Sequence, residues 1–122
     1  MDKVDKALKK EISLLKEKRE EAKKYLDEDK AALNKAAADL GLTAIYDNND
    51  NVSNYESLTR DAENQRNALL DTFGATIDDN EQKRLDEFDK KQEKLLTALK
   101  TYDDTRELIE DLTNDIDDKT YE

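Results

Sequence analysis

The side chains in this sequence that could do chemistry are almost all carboxylates. They occur as adjoining pairs, Asp78 with Asp79, Asp103 with Asp104 and Asp117 with Asp118, and as the oxygen-rich run Asp47-Asn48-Asn49-Asp50-Asn51. A carboxylic acid becomes a proton donor near neutral pH only when burial or a close like charge raises its pKa. Nothing in the spacing of these pairs implies a pocket, so they read as a solvated face. The 47–51 run offers hard oxygen ligands. It lacks the alternating acids, central glycine and distant glutamate of a calcium loop, and therefore reads as a polar reversal of the chain. The Asn51-Val52-Ser53 sequon lies in the same reversal and is read as part of it.

Histidine and cysteine are absent. That removes the commonest general base, the commonest transition-metal ligand, thiolate chemistry and the helical Glu-x-x-His pairs that build two-metal carboxylate sites. Glycine-rich phosphate loops are also missing. The expectation is a non-enzymatic chain with no catalytic residues, no metal site and no cofactor.

The elements carrying these residues follow from composition and periodicity. The 122 residues are 35% hydrophobic and 43% charged, with net charge −11, no proline and only two glycines, Gly41 and Gly74. A chain this polar cannot fill a thick core, but it can pair long helices along narrow apolar seams. From Leu8 onward two interleaved seven-residue repeats run Ile12, Arg19, Leu26, Leu33, Leu40 and Leu8, Leu15, Ala22, Asp29, Ala36. Phe88, Leu95, Tyr102, Ile109, Ile116 and Leu85, Gln92, Leu99, Arg106, Thr113 repeat the pattern. These repeats predict a helix over 1–40, closed by Gly41 in a left-handed conformation, and another over 79–119. Asp78 with Glu81, or Asp79 with Gln82, would cap the latter. Ser53 to Glu56 matches a capping box and predicts a short helix over 54–73, leaving turns at 41–53 and 74–78. A small hairpin made by the segments flanking Asp47–Asp50 is the alternative for the first turn.

The expected fold class is all-α: one domain, 1–122, built as a long antiparallel helical hairpin, a coiled-coil stalk, with the short helix at its tip. The alternative is an elongated three-helix bundle that oligomerises. In the hairpin, matching polar positions to one another places Ile12 opposite Ile109, Leu26 opposite Leu95, Asp29 opposite Gln92, Arg19 opposite Tyr102 and Leu15 opposite Arg106. Charge favours the antiparallel sense. Residues 1–24 hold nine Lys or Arg against six Asp or Glu, whereas residues 101–122 hold two against nine.

Tyr46, Tyr55 and Phe73 lie in or beside the interruption, where a tip would gather them, and they are the candidate partner-binding residues. The expected function is that of a coiled-coil structural or adaptor protein mediating protein–protein assembly, with a virus particle or a secretion complex as its setting. Self-association or co-assembly, no direct nucleic-acid binding and no membrane contact go with that reading. The alternative function is an acidic DNA mimic that occupies the basic groove of a nucleic-acid-binding protein. The first residues carry no secretory-signal pattern and no window is apolar enough to span a membrane, so the expected location is cytoplasmic or particle-associated.

Overall fold

The computed structural model describes residues 2–121 and contains three helices: α1 (Asp2–Ala38), α2 (Tyr55–Asp71) and α3 (Asp79–Thr120). Their boundaries fall within two residues of those the periodicity predicts. Gly41 closes α1 as expected, at φ +71°. Its N–H donates to the Ala38 carbonyl at 2.9 Å, and the Leu42 N–H donates to Ala37 at 2.9 Å. This is the double hydrogen bond of a Schellman end, with Leu42 turned back against the core.

At the start of α3 the Asp78 carboxylate accepts from the Glu81 N–H at 2.8 Å, and Glu81 accepts from the Asp78 N–H at 3.2 Å. The reciprocal pair satisfies two otherwise orphaned donors. The box expected at α2 does not form. Ser53 instead donates its hydroxyl to the Ile45 carbonyl at 3.2 Å, and Asn54 occupies the N-cap without a capping side-chain bond. Both residues are engaged by the preceding loop, which competes for the same polar groups.

α3 is the spine of the molecule. Lys119 meets Glu11 at 3.2 Å, Arg19 donates to Thr113 at 3.5 Å, and Thr105 donates to Asp29 at 2.6 Å, so α1 lies antiparallel along the C-terminal part of α3. Arg66 binds Asp89 at 2.8 Å and Gln92 donates to Glu63 at 2.9 Å, so α2 lies antiparallel along the N-terminal part. α1 and α2 therefore follow one another along one partner. The core sits where they meet, at Leu33, Ala37, Leu40, Leu58, Ala62, Leu95, Leu99 and Tyr102.

This arrangement corrects the pairing expected from sequence. The antiparallel sense holds, and Ala22, Leu26 and Leu33 on α1, Leu40 just past its end, and Leu95, Leu99, Tyr102 and Ile116 on α3 are buried as the repeats require. The register differs by about three helical turns. Arg19 meets Thr113 in place of Tyr102, Asp29 meets Thr105 in place of Gln92, and residue 11 lies beside 119, far past Ile109. Arg106, expected opposite Leu15, forms its ion pairs within α3 to Asp103 and Glu110, both at 3.2 Å. The cause is α2. By covering the first half of α3 it displaces α1 toward the other end, and it supplies through Glu63 the partner that Gln92 was expected to find on α1.

Candidate interaction surface

The interruption at 41–54 is a clasp folded against the helix pair. Tyr46 and Val52 form a single antiparallel bridge among the described residues, which is less than a hairpin and more than an open turn. Asp47 organises the tip: its Oδ1 accepts from the Asn49 N–H at 2.8 Å and from the Asn51 N–H at 3.0 Å. Those backbone donors, Asn51 foremost, hold its carboxyl below the usual carboxylate range. Asp50 takes up the left-handed conformation at φ 62°, which a short polar side chain tolerates. At the base, the Asn54 amide bridges both sides, accepting from the Ile45 N–H and donating to the Thr43 carbonyl, each at 2.8 Å.

Two tyrosines lock the clasp down. Tyr102, 1% exposed, donates its hydroxyl to the Asp50 carbonyl at 2.7 Å. Burial, then the neighbouring Asp50 charge, pushes its phenol up to about 12. Tyr46 packs edge-on to Tyr102 with ring centroids 5.4 Å apart, donates to Asn34 at 2.7 Å and lies under the Lys30 ammonium at 4.4 Å. Burial likewise raises its phenol.

Of the three aromatic residues singled out from sequence, Tyr46 is thus half-buried in the clasp. Tyr55, 42% exposed, opens α2, and Phe73 follows its last turn with the Arg84 guanidinium 5.9 Å above its ring. A 17-residue helix separates the latter two, roughly 25 Å at about 1.5 Å per residue, so the three do not form one patch. Sequence reasoning also passed over Tyr102 as the partner of Tyr46. Its place in the heptad stripe marked it as core, and its hydroxyl needed a polar acceptor there.

With the clasp on one side of the α1/α3 pair, the other side is an open groove of about 640 Å³. Its floor is small and weakly polar: Ala32, Ala36, Thr97, Ala98 and Thr101. Asp29 and Lys35 on α1 and Asp39 just past its end rim it on one side, and Lys90, Glu93 and Lys94 on α3 rim it on the other. Helical spacing continues this face beyond the groove. Residues 25, 32 and 36 fall on one side of α1, and 97, 101 and 108 on one side of α3. Tyr25 and Leu108 are 60% and 50% exposed. The pair thus leaves large apolar side chains and a small-residue trough uncovered on its outer face. No helix among the described residues is long and apolar enough to cross a membrane. Comparison with protein-family models, curated proteins and solved structures finds no match to this chain.

Proposed function

We propose that this protein is a non-enzymatic structural or adaptor component that mediates protein–protein assembly through the open face of its α1/α3 pair. The observation that carries this reading is the trough floored by Ala32, Ala36 and Ala98 and continued by exposed Tyr25 and Leu108. Aromatic and aliphatic side chains beside such a trough supply the anchors that dominate interface energetics. The carboxylates support the same reading. Asp47 ties a turn, Asp78 caps a helix and Asp89 pairs with Arg66, so these acids serve the fold. The acidic-mimic alternative asks for a one-sided field, whereas Lys90 and Lys94 share the outer face of α3 with Asp111 and Asp115.

A photoreactive residue placed at Tyr25 or Leu108 tests the reading in extract of the producing cells. Discrete adducts with a protein at these positions, persisting at high salt, are expected. Loss of every adduct as salt rises, with basic DNA-binding proteins as the sole targets at low salt, would favour the mimic.

A further inference from the structure

We infer that the occupant of the open face is a second copy of this chain, related by a two-fold axis, with α1 antiparallel to its counterpart and α3 antiparallel to its own. The inference deepens the assembly reading and rests on it. Its basis is the order of side chains along each helix.

On α3 the outer stripe at three- and four-residue steps runs Lys90, Lys94, Thr97, Thr101, Asp104, Leu108, Asp111, Asp115, and every one of these residues is exposed. It is basic at one end, small in the middle and acidic at the other. A two-fold axis between Thr101 and Asp104 lays the stripe on its own copy head to tail. Lys90 then faces Asp115, Lys94 faces Asp111 and Leu108 faces Thr97. Each contact occurs twice, as an isologous interface requires.

The same axis must cross α1 at the level that its packing on α3 sets. The Thr105–Asp29 hydrogen bond sets residue 29 level with residue 105, so in the antiparallel pair the axis between Thr101 and Asp104 crosses α1 between Ala31 and Ala32. That places Tyr25, exposed beside the trough, near Ala38 at the end of the other copy's α1. It also sets Glu28 against Lys35 and Lys24 against Asp39, all four of them exposed. One axis thus sets unlike charges against each other on both helices.

The area is adequate. The face is roughly 39 Å long on α3, from residue 90 to 115, and roughly 24 Å long on α1, from residue 24 to 39, and each helix is about 10 Å wide. Each copy would thus bury about 650 Å², roughly 1,300 Å² in total, within the range of stable interfaces. The net charge of −11 on each copy opposes association. At physiological salt the screening length is about 8 Å, which damps that repulsion between distant charges more than the attraction between facing pairs.

Sedimentation equilibrium of the full chain, with circular dichroism to verify folding, tests the inference. The wild type is expected to dimerise. Lys90→Asp with Lys94→Asp should weaken the dimer by about tenfold or more, because two attractive contacts in each half become repulsive. Adding Asp111→Lys and Asp115→Lys to the same chain should restore it, and Tyr25→Glu should weaken it independently. A folded wild type that stays monomeric up to about millimolar concentration, the weak limit of specific binding, would overturn the two-fold pair. So would a dimer indifferent to the lysine reversals, or one that the fourfold swap fails to restore. A monomer that still cross-links to a different protein through Tyr25 overturns the pair and leaves the assembly reading standing. A monomer with no adduct overturns both.

Discussion

The hydroxyl of Tyr102, in the middle of α3, donates to the main-chain carbonyl of Asp50 at the tip of the clasp, 2.7 Å away. A fully buried phenol thereby holds a surface turn against the helix pair, and Tyr46 reinforces it from within the turn. The clasp is secured by a core residue, so its order depends on the core.

Tyr102→Phe should therefore loosen the clasp while sparing the helices. The lost hydrogen bond is worth about 1 kcal/mol. Amide exchange should accelerate at Asp47, Asp50 and Asn51, whose N–H groups bond within the tip. Equal acceleration throughout α1 would show that the clasp is not a separate unit.

The clasp should weaken at both ends of the pH scale. Tyr102 has a folded-state pKa raised to about 12, so its contribution is complete below about pH 10 and is lost as pH rises toward 12. Asp47 is depressed by its backbone donors, so its contribution is present above the usual carboxylate pKa and is lost as pH falls through the depressed value. Chemical shifts of Asn49 and Asn51 followed against pH should move in both windows in the wild type. Asp47→Asn should remove the acid transition alone.

The register can be read with thiols. Cysteines replacing Asp29 and Thr105, short side chains whose oxygens lie 2.6 Å apart, should join within one chain under mild oxidation or with a short cross-linker. Cysteines at Ile12 and Ile109 should not. The opposite result, on non-reducing electrophoresis with helicity intact, would restore the pairing that polar matching suggested.

The two helix ends should cost similar amounts to damage. Asp78→Ala removes the acceptor of the capping box, about 1 kcal/mol. Gly41→Ala meets no atom within 4 Å, so its cost, also about 1 kcal/mol, comes from the positive φ alone. Each should lower the melting temperature by about 3–5 °C, read by thermal circular dichroism. An unchanged melt for Gly41→Ala would mean that the left-handed end contributes nothing.

Arg19 offers a change in the other direction. Its Nε is buried without a partner, and its one long hydrogen bond reaches Thr113 at 3.5 Å. Arg19→Met keeps much of the stem and removes the unsatisfied donor, so thermal unfolding should be unchanged or higher by about 1 kcal/mol. A clear loss would reveal a role for the guanidinium.

Helices, their ends and their buried stripes were legible because each rests on local rules: Gly41 for a left-handed end, Asp78 with Glu81 for a cap, and seven-residue spacing for Leu26, Leu33, Leu95 and Tyr102. Register was not, because a repeat fits its partner at several offsets. The choice that paired Asp29 with Gln92 took two polar residues as each other's solution, when Thr105 and Glu63 supplied separate ones. The clasp was half legible. Its turn chemistry showed at Asp47 and Asp50, but the docking of Tyr46 on Tyr102 joins segments far apart in sequence, and no local pattern announces it.

The tandem seating of α1 and α2 on a single spine bears on the order of assembly. α2 and α3 are neighbours in sequence across a short link and can zip together early, since closing a small loop sacrifices little chain freedom. α1 must return over a longer path and finds only the uncovered length of α3 left to occupy. The earlier-formed half thus acts as an end-stop, selecting by obstruction one alignment among several that side-chain matching would leave nearly degenerate.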